Sequence, residues 1–167
     1  METAYIALGS NLPSAAGTPA QTLDAAIVRL AELGIVLAHS AYYETAPVGY
    51  ADQPSFLNAA AALSTSLEPE ALLDRLLAIE RDFGRDRSHG IHNGPRTLDL
   101  DLLLYGNRIL STPTLQLPHP RMAERAFVLV PLRDIAPGLI HPQNGLSVSQ
   151  LVKDLAHLKE EPTHGGR

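Results

Sequence analysis

The sequence predicts an α+β fold in which an antiparallel sheet is covered by helices. Short apolar stretches that alternate like strands follow one another directly, while longer stretches with helical spacing separate the strand pairs. No internal repeat or linker divides the chain. The order of the elements favours a ferredoxin-like arrangement, an α/β/α sandwich with helices packed on the sheet.

Each element is predicted from its own pattern. Apolar residues at helical spacing, with Thr18 as a cap and Pro19 after it, predict the first helix. Pro69 at the start and Gly84 at the end bound the second helix. Gly9 begins the turn that is expected to end the first strand. The strands are predicted at 3–8, 35–45, 56–66 and 97–105, and the helices at 18–33, 68–83, 121–130 and 147–158.

Length and composition indicate one compact domain. A chain of 167 residues can bury about 70% of the surface that it exposes when unfolded. With 45% hydrophobic and 19% charged residues, it has the composition of a globular protein. We expect a single domain at 1–160, a disordered tail at 161–167, and a monomer.

Several classes of protein are disfavoured. The chain has no cysteine, which excludes disulfides, thiolate zinc sites and a cysteine nucleophile. It lacks the basic start of a signal peptide and any apolar run long enough to cross a bilayer, so we expect a cytoplasmic protein without a membrane partner. The net charge of −5 argues against a nucleic-acid partner, since such binding depends on many neutralised phosphates.

Two aspartates carry the strongest functional signal. Asp99 and Asp101 alternate with leucines over residues 97–104, which is the period of a half-buried strand, so both carboxylates are expected on one face. An edge strand with a solvated polar face is the simpler interpretation of such a pair. The neighbourhood favours a site for magnesium and polyphosphate instead, because it is rich in arginines, namely Arg85, Arg87, Arg96, Arg121 and Arg125.

The lysines restrict how phosphate could be held. The chain has only Lys153 and Lys159, both near its C-terminus, so no lysine is available for a phosphate-binding P-loop. A nucleoside triphosphate would have to be held by arginine forks and metal ions.

Four separated segments resemble the 6-hydroxymethyl-7,8-dihydropterin pyrophosphokinase family. The run Gly-Pro-Arg-Thr-Leu-Asp-Leu-Asp at 94–101 is the most specific of the shared motifs, and the others occur in the family's order and near its spacing. The matching segments lie at 4–12, 43–59, 80–104 and 117–127.

This resemblance implies that pyrophosphate is transferred from ATP, the co-substrate, to the hydroxymethyl group of a reduced pterin in folate biosynthesis. It also implies a role for each matching residue. Asp99 and Asp101 would hold two Mg²⁺ ions, and Arg85 and Arg96 would stabilise the transferred group. ATP would be bound by Glu80, Arg87, Leu102, His119 and Arg125. The pterin would be bound by Thr45, Ala46, Val48, Phe56, Asn58 and Phe127.

Two other functions are compatible with the same residues. One is a different magnesium-dependent phosphotransferase or nucleotidyltransferase on a ferredoxin-like scaffold. The other is a small-molecule sensing domain in which the aspartates bind a structural or regulatory ion. The nucleotide product separates these alternatives, because only pyrophosphate transfer leaves AMP together with a pyrophosphorylated acceptor.

Overall fold

A computed structural model describes residues 1–45, 54–84 and 97–158. The expected tail at 161–167 lies outside these ranges. Within them the chain forms seven strands and four α-helices. The strands are β1 (Glu2–Ser10), β2 (Ile35–His39), β3 (Tyr43–Thr45), β4 (Phe56–Thr65), β5 (Asp99–Tyr105), β6 (Leu110–Ser111) and β7 (Gln116–Leu117). The helices are α1 (Pro19–Leu30), α2 (Pro69–Asp82), α3 (Ala126–Ile135) and α4 (Val148–Leu158).

The main sheet is antiparallel and confirms the predicted fold class. Its strands lie in the order β2-β4-β1-β5, and β3 also pairs with β4. With β2 and β3 taken together, this is the strand order of a ferredoxin-like fold, whose two central strands are the first and third. A small hairpin formed by β6 and β7 was not predicted from the sequence.

The helices cover both faces of the sheet, as predicted. One hydrophobic core contains Leu23 and Leu30 of α1 together with Leu72 and Leu76 of α2. A second core on the other face contains residues of α3 and α4, among them Leu129 and Val152. No helix within the described ranges has the length and apolar character needed to span a membrane.

The predicted starts of α1, α2 and α4 are confirmed, and capping side chains support those of α1 and α4, whereas α1 ends at Leu30 and not at the predicted Leu33. Thr18 and Gln21 form a reciprocal capping box at the start of α1, with Pro19 in the first turn. Helix α2 begins at Pro69, and Gly84 follows its end with a φ of 88°. At α4 the Ser147 hydroxyl accepts a hydrogen bond from the Gln150 amide, 3.1 Å between Oγ and N.

The strand boundaries differ from the prediction in two places. Strand β1 continues through Gly9 to Ser10, which pairs with Leu57, so the glycine does not end it. The single strand expected at 35–45 is interrupted at Ser40. The buried Ser40 hydroxyl accepts a hydrogen bond from the Ala60 amide at 2.9 Å, a bond that involves a side chain and therefore breaks the regular strand pairing.

The helix expected at 121–130 was also wrong in its bounds. A 3₁₀ turn occupies Met122–Glu124, and α3 then runs from Ala126 to Ile135, through Pro131. A proline inside a helix loses one backbone hydrogen bond. Burial of Val128, Leu129 and Leu132 on one face of α3 offsets this loss.

The alternation of leucines predicts that Leu104 lies on the same face of β5 as Leu98, Leu100 and Leu102, but a β-bulge places it on the other face. The pairing of β1 with β5 shifts between Tyr5 and Ile6, leaving Leu103 as an extra residue on β5. Leu98, Leu100 and Leu102 pack in the core beside α1 and α2, as their alternation predicts. Leu103 and Leu104 both pack beside α3 and α4, because a bulge interrupts the two-residue period.

We predict that His141 makes stability depend on pH. This side chain is 7% exposed in the α3–α4 connection, and its Nδ1 accepts hydrogen bonds from the amides of Gln143 and Asn144 at 3.3 and 3.4 Å. Burial lowers the pKa of His141 in the folded protein. As pH falls below about 6.5, the unfolded chain therefore binds the proton first and the free energy of unfolding decreases.

His141→Asn provides a matched comparison, since an amide oxygen can replace Nδ1 as acceptor without titrating. Chemical denaturation between about pH 7 and pH 5 should show a larger loss of stability for the unmodified protein than for the variant. The difference should not exceed about 1.4 kcal/mol per pH unit. Parallel curves for the two proteins would contradict the prediction.

Candidate active site

The pairing of three neighbouring strands brings the predicted polar residues together. Gly9 of β1 is opposite Asn58 of β4 on one side and Asp99 of β5 on the other. In the next row on the same face, Ala7 lies between Ala60 and Asp101. Residues that are directly opposite in an antiparallel sheet share a face, so the amide and the two carboxylates project from one surface.

These rows form the floor of a cleft whose described lining includes Ala7, Gly9, Asn58, Asp99, Asp101 and Phe127. The middle strand contributes only small side chains to this floor, which leaves space between Asn58 and the aspartates. The sequence motifs predicted only a turn at Gly9 and no role for Ala7. Both could have been noticed in the sequence because they are small residues two positions apart. Their neighbours Ile6 and Leu8 are large and lie in the hydrophobic core.

The cleft confirms that Asp99 and Asp101 share a face. Asp99 is 7% exposed and Asp101 is half-buried. Within the described residues, no group of three or more His, Cys, Asp or Glu side chains could hold a metal ion by itself. The pair is a donor set suited to Mg²⁺, which keeps several waters and is bound by one or two carboxylates together with substrate phosphates.

The bulge in β5 positions the loop that carries His119. The carbonyl of Leu103, the extra residue of the bulge, accepts a hydrogen bond from the His119 backbone amide at 2.8 Å. The peptide bond between Leu117 and Pro118, just before this histidine, is cis. The hydrogen bond to Leu103 holds the His119 loop beside β5, where the charge of Asp99 acts on the imidazole.

The ring of His119 is held in one neutral form. Its Nδ1 accepts a hydrogen bond from the Arg121 amide at 3.2 Å, so the proton of the neutral ring lies on Nε2. Burial lowers the pKa of His119, and the positive charge of Arg125 acts in the same direction, while Asp99 opposes them. The residue is thus suited to donate a hydrogen bond from Nε2.

Arg125 contacts the aromatic wall of the cleft and is near enough to both carboxylates for their charges to act on it. Its guanidinium carbon is 5.4 Å from the centre of the Phe127 ring, in a cation–π contact. Burial lowers the pKa of Arg125, whereas the charge of Asp101 raises it. A half-buried guanidinium near two carboxylates could donate hydrogen bonds to a phosphate group bound in the cleft.

The residues predicted to bind a pterin approach from β3 and β4. Asn58, which is 2% exposed, donates a hydrogen bond from Nδ2 to the Thr45 hydroxyl at 2.6 Å. Phe56 lies two residues before Asn58 on the same face of β4 and is 1% exposed. Phe127 begins the opposite wall, at the start of α3. The structure therefore brings Thr45, Phe56, Asn58 and Phe127 to one end of the sheet.

Two residues assigned to ATP lie on the other side of β5. Leu102 is 3% exposed and packs in the core beside α1 and α2. Glu80 of α2 is 1% exposed, and its Oε2 accepts a hydrogen bond from the Leu100 amide at 2.6 Å. Leu102 and Glu80 therefore lie on the side of β5 opposite to the aspartates. A direct contact of either residue with ATP stays a prediction.

The remaining predicted residues lie outside the described ranges. Three of them are arginines and two belong to the segment after β3: Arg85, Arg87, Arg96, Ala46 and Val48.

A larger cleft lies between α3 and α4. Its described lining is aliphatic: Ala126, Leu129, Val130, Val152, Leu155 and Ala156. Ligand sites combine apolar walls with a few polar groups, and the described residues of this cleft contribute no polar side chain. The smaller cleft over β1 and β5 is therefore the better candidate for chemistry.

Comparisons with known proteins agree with this choice. The sequence profile of the family described as 7,8-dihydro-6-hydroxymethylpterin-pyrophosphokinase matches residues 5–137. The 2-amino-4-hydroxy-6-hydroxymethyldihydropteridine pyrophosphokinase of Haemophilus influenzae is 45% identical, over 95% of this chain and 96% of its own length. The protein of the same name from Pseudomonas aeruginosa is 49% identical, over 85% of each chain.

Some relatives are much longer. A folic acid synthesis protein of Pneumocystis carinii is 45% identical over 89% of this chain, which spans only 19% of that protein. The crystal structure of wild-type Plasmodium falciparum HPPK-DHPS with pteroate superposes with a TM-score of 0.73 at 16% identity, covering 96% of this chain and 43% of that one. This similarity supports the fold, and the sequence matches support the family. The chain belongs to the 7,8-dihydro-6-hydroxymethylpterin-pyrophosphokinase family.

Proposed function

We propose that this chain transfers pyrophosphate from ATP to the hydroxymethyl group of 6-hydroxymethyl-7,8-dihydropterin, releasing AMP, as a step of folate biosynthesis. The observation that carries the proposal is the cleft in which Asp99 and Asp101 face Asn58 and Phe127, in a chain of this family. One end of the cleft suits magnesium and phosphate, and the other suits a flat ring with a polar edge. A cytoplasmic location fits this function.

The reaction moves one diphosphate group between two oxygens. The hydroxymethyl oxygen forms a bond to the β-phosphorus, while the bond from that phosphorus to the oxygen shared with the α-phosphate breaks. That oxygen leaves with AMP, and the hydroxyl proton is released. Phosphoryl transfer of this kind requires mainly alignment and charge stabilisation, so the protein has little covalent chemistry to perform.

Asp99 and Asp101 would hold two Mg²⁺ ions through their carboxylate oxygens. When bound, magnesium supplies charge neutralisation on the phosphates and makes the substrate hydroxyl more acidic. The contribution of the chain is to fix the two carboxylates on one strand and one face, at a rigid part of the sheet. The pairing with β1 supplies this rigidity.

Arginine guanidinium groups and one neutral imidazole would bind the phosphates around this pair. Arg125 is half-buried beside both aspartates, and His119 presents Nε2–H from the neighbouring loop. Arg85 and Arg96, which the family resemblance assigns to the transferred group, and Arg87, assigned to ATP, would complete the set. Forked guanidinium donors match phosphate oxygens in pairs.

The pterin would lie against Asn58, with Phe56 and Phe127 as its apolar walls. An amide both donates and accepts hydrogen bonds, as does the aminopyrimidinone edge of a pterin. The hydrogen bond from Asn58 to Thr45 holds the amide in one orientation before substrate arrives. Aromatic rings prefer offset stacking with other flat rings. Ala46 and Val48 would add contacts from the segment after β3.

The product nucleotide tests the proposed function. Purified protein with ATP, magnesium and 6-hydroxymethyl-7,8-dihydropterin should release AMP in equal amount to the pyrophosphorylated pterin. Chromatography of the nucleotides distinguishes AMP from ADP. Release of ADP would identify a simple phosphotransferase, and binding of the pterin without any turnover would identify a sensing domain.

Replacing either metal-binding aspartate should nearly abolish this reaction. Asp99→Asn and Asp101→Asn keep the side-chain shape but remove a charged ligand, a loss of several kcal/mol of transition-state stabilisation. The rate should therefore fall by at least about 100-fold, measured as AMP release. Asp74→Asn, at an exposed position of α2, is the matched control and should leave the rate unchanged. Near-normal rates in both active-site variants would exclude the proposed metal site.

Asn58→Ala should act on the pterin. The variant leaves the polar edge of the ring without its buried partner, which should raise the KM for the pterin by roughly 10-fold. The KM for ATP should change little, because the adenine nucleotide is assigned to the opposite end of the cleft. Initial rates at varied concentrations of each substrate measure both constants. Asn107→Ala, in an exposed turn, serves as the control, and an unchanged pterin KM in Asn58→Ala would contradict the assignment.

A further inference from the structure

A buried carboxylate connects helix α2 to the strand that carries the aspartates. Glu80 lies near the C-terminal end of α2, its residue is 1% exposed, and its Oε2 is 2.6 Å from the Leu100 amide nitrogen. Leu100 is the residue between Asp99 and Asp101. The hydrogen bond therefore joins the helix to the strand at the midpoint of the aspartate pair.

The position of β5 in the sheet explains why this bond matters. Among the strands of the main sheet, β5 lies at one end of the order and pairs with β1. An edge strand has alternate amides that point away from its neighbour, and a buried amide needs an acceptor. Glu80 supplies that acceptor where a further strand would otherwise do so.

Fixing Leu100 also fixes the two aspartates. Successive side chains of a strand point to opposite faces, so the Leu100 side chain enters the core beside α1 and α2 while Asp99 and Asp101 enter the cleft. A rotation of the Leu100 peptide group would turn the two carboxylates away from each other. The bond to Glu80, together with the packing of Leu100, opposes that rotation.

Packing alone gives no reason for an acid at this position. Burying a carboxyl group is costly, and the cost increases beside other carboxylates, of which Asp99 and Asp101 are both adjacent to the bonded residue. An apolar residue of the same size would fill the space beside Leu76 and Ile79 without that cost. The hydrogen bond to the Leu100 amide is a contact that an apolar residue at this position could not make.

We propose that Glu80 is a positioning residue, which acts on the metal ligands through the Leu100 amide and does not need to touch ATP. The inference rests on the proposed function, because it concerns the same metal site. It assigns to α2, a helix on the far side of the sheet, a role in setting the affinity for magnesium.

Two substitutions separate the hydrogen bond from the charge. Glu80→Gln keeps an oxygen that can accept from the Leu100 amide, whereas Glu80→Ala removes the acceptor. Glu70→Ala, which removes the exposed glutamate of the first turn of α2, is the matched control. Binding is measured by calorimetry with magnesium and α,β-methylene-ATP, an analogue that cannot transfer pyrophosphate.

In Glu80→Ala, the magnesium concentration that half-saturates analogue binding should rise by about 10- to 100-fold, the usual effect of losing a partner behind a metal ligand. The Leu100 amide should also exchange its hydrogen faster. Glu80→Gln should show a clearly smaller shift and retain amide protection. If Gln and Ala weaken nucleotide binding equally without changing the magnesium requirement, or if Ala changes neither quantity, the positioning role is wrong.

The test does not depend on a single variant or on turnover. If Glu80→Ala fails to fold, Glu80→Asp replaces it, because the shorter side chain withdraws its carboxyl group from the Leu100 amide. The same ranking against Glu80→Gln is then expected. Absence of AMP release by the unmodified protein would overturn the proposed function, while the comparison of amide exchange and magnesium binding would still decide the role of Glu80.

Discussion

The site depends on the antiparallel pairing of β1 with β4 on one side and with β5 on the other. This pairing places Asn58, Gly9 and Asp99 in one row across the sheet. The side chains come from strands that are far apart in the sequence, and only hydrogen-bonded registers keep them on a common face. A register shift of one residue would turn the Asp99 and Asp101 carboxylates into the core, where burial without partners is costly. The burial of leucines on the opposite face therefore also keeps the two carboxylates in the cleft.

One face of β5 packs in the hydrophobic core and the other lines the cleft. Leu98, Leu100 and Leu102 join the core beside α1 and α2, and this burial stabilises the strand. Asp99 and Asp101 occupy the other face. The bulge at Leu103 ends the alternation just after the aspartates and directs a backbone carbonyl to the His119 amide. One irregular residue thus ends the face that carries the aspartates and anchors the neighbouring loop.

The helices complete the site from both sides of the sheet. Helix α3 begins at the cleft, so its first turn provides Phe127, and the charges of Asp99 and Asp101 act on its N-cap residue Arg125. Helix α2 lies on the far side and reaches the same strand through Glu80. The aspartates are therefore held by a strand that is fixed from two directions. Such support is what a metal site requires, because small displacements of ligands weaken binding.

Much of the fold and part of the site could be predicted from the sequence alone. Alternating leucines predicted the face of Asp99 and Asp101, Thr18 and Pro69 predicted helix starts, and motif order indicated the family. These signals are local, so they can be read without knowing which strands are neighbours. Three features were decided only by the tertiary structure. Gly9 leaves space between Asn58 and Asp99, and the bulge places Leu104 on the face of β5 opposite to the one that its alternation predicts. The third feature is the hydrogen bond between Glu80 and the Leu100 amide. Each of these depends on the register or packing of distant segments, which no periodicity within one segment records.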